Sequence, residues 1–287
     1  MKEEKPNLVV GHGAIQVKGI LAARRAKIPC VWVMHDSYLS GASKMIFDVF
    51  HRFCNHFIFV SERSREFYNE AFPRLQSRVQ SVIPSSIDHT RFSPGSITLL
   101  PEGRFHIITT CYINKWKGLE LLIDIAHIVQ ETGHDDIHFN IVGPIIDSQR
   151  VYAETLMNKI SQLNLKNITF HEYRSNIPEY LQSASIYLCT STHESSPISV
   201  WEAMATALPV ISSDVGDITT MVDDTNSGIV LRDRNPKSYV EAILKLQSKD
   251  ELRKSCGQNA YQTTLAHFSK ESFQNTHRSF YLKVADN

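Results

Sequence analysis

Glu194 and Glu202 stand eight positions apart in the stretch HESSPISVWEAMA, residues 193–205, with only small polar residues, a proline and the start of an apolar helical pattern between them. Proline suits the first position of a helix, because its fixed φ fits and its missing N–H would be unpaired there. Pro197 therefore predicts a helix start, with Ser196 as the N-cap. The amides of Ile198 and Ser199 would then lack intrahelical acceptors, and together with the positive end of the helix dipole they would receive phosphate oxygens. Glu194 precedes that site and Glu202 lies about a turn and a half into the helix, so the two do not share a face as an i,i+4 pair would. One could reach a group beyond the phosphates and the other a group on the nucleoside side. Taken alone, the same residues also describe a capped surface helix with two solvated glutamates, so the surrounding elements must decide.

Those elements are short β-branched and apolar runs alternating with helix-length amphipathic segments, the pattern of βαβ units and parallel sheets. Strands are expected at LVVGH, CVWVMH, FIFVS and RVQSVIP, with helices from about Ile15, Ala42 and Glu62. SPGSITLLPEG then breaks the rhythm as a linker would, which places a domain boundary after Pro94. The alternation restarts at FHIITTCY and runs through IHFNIVG, ITFHEY, SIYLCTS, LPVISSD and SGIVL, about six more strands. From Glu251 to about Lys283 the pattern is helical, interrupted near AHFSKES, where Ser269 can cap a final helix. The expected class is α/β with two Rossmann-like domains, residues 1–94 and 95–264, and a C-terminal helical stretch, 265–287, crossing back to the first. In such folds ligands bind outside the carboxyl ends of the strands, in a cleft between the domains.

Bulk composition narrows the classes further. The 287 residues are 42% hydrophobic, and 30 basic residues balance 30 acidic ones, so no overall field attracts nucleic acid. The cluster Arg24, Arg25, Lys27 reads as a solvated helix face, with a weak footing on an anionic membrane surface as the other reading. Five cysteines without CxxC or zinc spacing are expected to be reduced and mostly buried. No apolar run reaches the ~18 residues of a membrane span and MKEEKPN is no signal peptide, so a cytoplasmic protein, at most peripherally membrane-associated, is expected.

The stretch STHESSPISVWEAMATALPVISSDVG resembles the Glu-x7-Glu signature of glycosyltransferase family 4, and the resemblance spans nearly the whole chain. VIPSSIDHTRFSP is similar to that family's pre-linker segment, NKWKGLELLIDIA to its lysine-glycine segment, and ITFHEYRSNIPEYLQSASIYLCTS to its base-facing loop and following strand. The resemblance implies a GT-B architecture and a retaining, hexosyltransferase-type enzyme that moves a sugar from a nucleoside-diphosphate sugar to a glycan or lipid-linked acceptor, as in polysaccharide biosynthesis. By position it implies that Glu194 contacts donor sugar hydroxyls and Glu202 the ribose hydroxyls, while the backbone of Ser195, Ser196 and Ile198 approaches the sugar and distal phosphate. Lys117 would neutralise the diphosphate, as a point charge suits a departing nucleotide. Tyr173 would lie in the base loop, Gly143 would allow another loop a close approach, and His35 would reach the sugar from the acceptor domain. By itself a lone histidine after a strand is more often a packed or capping residue than a ligand contact. No DxD-like pair is suitably placed after a strand to hold Mg²⁺, so no metal and no cofactor beyond the donor substrate are expected.

The chain also departs from the family pattern. Tyr112 and Cys111 occupy the positions where a second, arginine clamp on the diphosphate is usual, with Lys115 as a partial substitute and Tyr112 kept among the donor-binding positions. Ser195, Glu172 and Ala207 stand where glycine is usual, and Thr220 where glutamate is. The chain begins at what resembles the middle of the acceptor domain, so the N-terminal domain is expected to be truncated: either the chain is a fragment or a split gene product, or its exposed sheet edge pairs with a partner chain that supplies the missing strands. Two rival readings remain: a non-catalytic or split donor-binding subunit, and a glycoside hydrolase using Glu194 and Glu202, whose carboxylates would have to lie about 5 Å or 6.5–9.5 Å apart.

Overall fold

The structure is a computed structural model that describes residues 6–286. In chain order the elements are β1 (Val9–His12), α1 (Val17–Ala26), β2 (Cys30–Met34), α2 (Gly41–Phe50), β3 (His56–Phe59), α3 (Glu62–Ala71) and β4 (Val79–Val82). There follow β5 (Phe105–Thr110), α4 (Leu119–Glu131), β6 (Ile137–Val142), α5 (Arg150–Gln162), β7 (Ile168–His171), α6 (Ile177–Gln182) and β8 (Ile186–Cys189). The order closes with α7 (Ile198–Ala205), β9 (Val210–Ser213), β10 (Gly228–Leu231), α8 (Pro236–Ser248), α9 (Asp250–His267) and α10 (Lys270–Ala285). All ten strands lie in or against the runs that the β-branched pattern marks.

The chain divides into two compact units. The first comprises Met1–Ser86, Glu194–Ser196 and Phe268–Asn287, the second Ile87–His193 and Pro197–His267. The division falls ahead of Pro94, because Ile87 and Phe92 are buried, Arg91 donates to the Ser175 carbonyl at 3.0 Å and Gln182 donates to the Ser93 carbonyl at 2.8 Å. SPGSITLLPEG is grouped with the second unit.

The first unit holds a parallel sheet in the order β1-β2-β3-β4. Every residue of β2 is buried, as expected of a strand covered on both faces. One face carries Trp32, Phe57 and Phe59 against Phe47 of α2 and Tyr68 of α3. The other carries Val31, Val33 and Ile58 against Val284 of α10. Ser40, Ser61 and Ser269 cap α2, α3 and α10 by accepting from the amide three residues on, as short hydroxyl side chains do at an N-cap.

The second unit is a parallel sheet in the order β10-β9-β8-β5-β6-β7. Its core gathers α4, α5 and α8 over Ile107, Phe139, Ile141, Ile186 and Leu188. Chain order runs outward from β5 in both directions, to β6 and β7 on one side and to β8, β9 and β10 on the other. The carboxyl ends of β5 and β8 therefore flank a topological switch point.

The glycine-to-alanine departure at position 207 has a clear structural meaning. α7 ends in a Schellman motif, in which Leu208 N–H donates to Ala203 O at 3.1 Å and Ala207 N–H to Met204 O at 2.9 Å. Ala207 takes the left-handed conformation that this motif requires, with φ 61°. A Cβ is disfavoured there, so Ala207→Gly is expected to raise stability by about 0.5–1 kcal/mol. A rise in the urea midpoint checks it, and a fall would show that the methyl packs better than the backbone suffers.

Candidate functional site

β5 and β8 pair directly, through Ile107↔Ile186 and Ile108↔Tyr187, and each feeds a segment that carries candidate residues. After β5 comes a single 3₁₀ turn, Lys115–Lys117, started by Asn114, whose side-chain oxygen accepts from Trp116 N–H at 2.9 Å. Gly118 ends the turn at φ 59°, and a Cβ there would overlap the Thr190 carbonyl. After β8, Thr190 Oγ1 donates to the Lys117 carbonyl at 3.0 Å, and Thr192 N–H donates to the Trp116 carbonyl at 2.7 Å. The Lys117 turn and the segment entering α7 are thereby tied backbone to side chain.

Carbonyls at the carboxyl ends of parallel strands present negative partial charge to whatever approaches. Here Arg234 counters it: Nη2 donates to Thr190 O at 3.2 Å, and Nη1 donates to Ser191 O at 3.2 Å and to Ser213 Oγ at 3.4 Å. Its guanidinium also lies beside Gly118. Arg234 was not among the residues marked by sequence, because its partners lie 43 and 44 positions upstream. Cys111 and Tyr112 do not provide an equivalent cation, and the Tyr112 side chain is 61% exposed.

α7 begins one residue later than its proline suggests. Pro197 itself is the N-cap, with ψ 81°, outside the helical range, where Ser196 was the expected cap. The Pro197 carbonyl accepts from Val200 N–H at 2.8 Å and from Trp201 N–H at 3.3 Å. The amides of Ile198 and Ser199 therefore open the helix without a side-chain cap, and Ile198 is exposed. Glu202 follows on α7, half-buried, its carboxyl pushed above the usual range by burial and drawn back by the Arg91 guanidinium. Arg91, from the stretch first taken to precede a linker, is a second cation not marked by sequence.

Gly143 follows β6, and its N–H donates to the His171 carbonyl at 3.1 Å. It borders a cavity of about 620 Å³ lined also by His171, Glu172, Tyr173, Arg150 and Met157. Tyr173 is 68% exposed. Beneath this cavity a polar ladder crosses the sheet. His106 Nδ1 lies 3.1 Å from Asn140 Nδ2, and His171 Nε2 lies 3.1 Å from Asn140 Oδ1. His138, bonded to Thr169 and Arg104, is held down to about 4 by burial first and then by Arg104, His106 and His171.

In the first unit His35 follows β2, and its ring meets that of His12 at the end of β1. Glu194, Ser195 and Ser196 are half-buried and belong to this unit, where Ser37 Oγ donates to the Glu194 carbonyl at 3.0 Å. The sequence-marked residues thus fall into two sets: Lys117, Ile198, Glu202, Gly143, Tyr173 and Tyr112 in the second unit, and His35 with Glu194, Ser195 and Ser196 in the first. Among the described residues no group of three or more His, Cys, Asp or Glu could hold a metal ion, and no helix is long and apolar enough to cross a membrane. Cys30, Cys54, Cys189 and Cys256 are buried, and all five cysteines are unbridged.

Residues 96–263 match the family described as glycosyl transferases group 1, and residues 1–91 match glycosyltransferase family 4. A D-inositol 3-phosphate glycosyltransferase of Arthrobacter sp. (strain FB24) is 23% identical over 203 residues, 67% of this chain and 46% of that protein. The putative teichuronic acid biosynthesis glycosyltransferase TuaC of Bacillus subtilis is 24% identical over 278 residues, 92% of this chain and 67% of that protein. The chain spans about half the length of the first curated relatives it matches. Among solved structures, Anabaena Alr3699/HepE in complex with UDP superposes with TM-score 0.84 at 18% identity, covering 95% of this chain and 77% of that one. Sucrose-phosphate synthase from Thermosynechococcus elongatus gives TM-score 0.85 at 16% identity, covering 96% of this chain and 73% of that one.

Proposed function

The chain belongs to the group 1 glycosyl transferases and has the two parallel α/β domains of the GT-B fold, and we propose that it transfers a hexose-type sugar from a nucleoside-diphosphate sugar to a glycan or lipid-linked acceptor. The observation that carries this reading is the placement of Lys117 and the uncapped amides of α7 on the two strands that flank the switch point, tied together through Thr190 and Thr192. In this reading the diphosphate sits on the Ile198 and Ser199 amides. The Lys117 ammonium takes up the charge that builds on the leaving nucleotide as the glycosidic bond breaks. Glu202 accepts from the ribose hydroxyls, the cavity beside Gly143 and Tyr173 receives the base, and Glu194 and His35 hold the donor sugar. Transfer proceeds with retention and without a metal ion, helix dipole and lysine meeting the diphosphate charge instead. Relatives named for diphospho-undecaprenol acceptors support a lipid-linked acceptor and peripheral work at a cytoplasmic membrane face.

A second reading, a donor-binding subunit that needs a partner chain, is favoured by β1, which pairs only with β2 and leaves its outer edge open among the described residues. Co-purification of a strand-donating chain, without which no transfer occurs, would decide for it. The hydrolase reading has no observation in its favour.

Thermal-shift measurement against a panel of nucleoside diphosphates tests the donor site, since a ligand that binds only the native state raises the melting temperature. At least one diphosphate is expected to stabilise the protein. Glu202→Gln is expected to weaken that ligand about tenfold, the scale of one hydrogen bond to a charged group. A panel without any shift would remove the donor-site assignment.

A further inference from the structure

His12 closes β1 and His35 directly follows β2, its neighbour in the sheet, where His12 stands in register with Val33. His12 Nδ1 and His35 Nε2 lie 3.0 Å apart, and the rings are nearly parallel, 13° between planes with centroids 5.3 Å apart. Two ring nitrogens at that separation admit one hydrogen between them: one donates an N–H and the other accepts with its lone pair. We propose that His12 is a positioning residue for the transfer reaction, sharing one proton with His35 across this contact and so fixing the plane of the His35 ring and leaving its Nδ1 as the nitrogen that meets a sugar hydroxyl. The proposal deepens the reading above and rests on it only for the sugar contact; the shared proton is a property of the pair itself.

Two consequences follow from the geometry. A doubly protonated pair would set N–H against N–H, so the contact itself opposes the charged form of His35. The surroundings act in the same direction. His35 is held below the usual imidazole value by burial and then by His12, with Asp36 opposing. From α10, His277 is also lowered, chiefly by burial, with His12 contributing, while its Nδ1 lies 3.1 Å from the Phe273 carbonyl. From α3, the buried Tyr68 hydroxyl has no hydrogen-bond partner and is pushed up by burial and then by Asp36. Asp36 is the carboxylate that faces the pair, and Ser64 Oγ holds its backbone carbonyl at 2.8 Å.

The test uses the full chain labelled with ¹⁵N-histidine. Long-range ¹H–¹⁵N spectra between pH 5 and 8 are expected to show His12 Nδ1 and His35 Nε2 in a single donor–acceptor contact, with His35 protonated only below the usual imidazole range. In His12→Phe, which fills the ring space without nitrogens, the His35 titration is expected to move upward and kcat to fall about tenfold at unchanged donor KM, as for a group left slightly misplaced. His12→Asn, whose side-chain amide reaches the place of Nδ1, is expected to recover most of kcat. The absence of a donor–acceptor contact between these two nitrogens in the wild type, or a His35 titration unmoved in both variants, overturns the shared proton. An upward shift with kcat and KM unchanged overturns the positioning role. If His12→Phe does not fold, the wild-type spectra and His12→Asn still decide. A shared proton in a chain that transfers no sugar would count against the proposed function and leave the pair intact.

Discussion

Lys117→Ala is expected to lower kcat about 10²–10³-fold, the loss found when one preorganised donor to a developing oxyanion is removed. The fold should survive, because the backbone at this position is held by bonds that the substitution leaves in place. The Lys117 carbonyl accepts from Thr190, Gly118 turns the chain, and Asn114 starts the turn. What is lost is the ammonium carried by the last residue of the turn that follows β5. Lys117→Arg keeps the charge but replaces a compact ammonium with a broad fork, and should recover only part of the rate. Steady-state kinetics with the nucleotide-sugar identified by the thermal-shift panel provide the measurement. A second readout separates charge from shape: the alanine variant should lose more stabilisation by a nucleoside diphosphate than by the corresponding monophosphate. Equal losses for the two ligands would mean that Lys117 does not face the outer phosphate.

Gly143→Ala is expected to destabilise the second unit by about 3 kcal/mol, the range in which backbone strain combines with steric overlap. Gly143 has φ 151°, a region glycine enters at little cost, and a Cβ built there would overlap the Cys111 carbonyl. That carbonyl cannot withdraw easily. Cys111 N–H donates to Val142 O at 3.0 Å and Ile113 N–H to Pro144 O at 3.1 Å, so the chain leaving β5 is laced to the chain leaving β6. Any displacement passes along Tyr112 and Ile113 to the Lys117 turn, and donor affinity should fall with stability. Urea unfolding followed alongside diphosphate binding checks both, and a variant as stable as the wild type would show that the loop has room to relax.

The sheet order of the second unit was legible only in part. Alternating apolar runs mark all ten strands, because parallel strands covered on both faces must be continuously apolar, and β2 and β6 are buried throughout. The register of the α7 cap was missed by one residue. Pro197 satisfies the rules for a first helical position, but its ψ of 81° lies outside the helical range, so it stands as the cap instead. Proline and glycine content marks the loop around Pro94 and does not say which core buries Ile87 and Phe92. Arg234 and Arg91 carried no signal at all. An arginine in a polar loop is an ordinary surface residue until the fold places strand-end carbonyls or a half-buried carboxylate beside it. Ala207, by contrast, was marked as an unusual substitution, and its positive φ supplies the physical content of that mark.

Val284 of α10 seals the sheet face formed by Val31, Val33 and Ile58. Residues 31 and 284 meet only after the whole second unit has been synthesised between them, so on the ribosome the nascent first sheet waits with one apolar side uncovered. During that interval the second unit, continuous apart from three residues, can complete its own folding. Nascent-chain stalling before and after α10 would therefore separate an early, chaperone-binding intermediate from the finished molecule, with the C-terminal helix as the latch that ends its dependence.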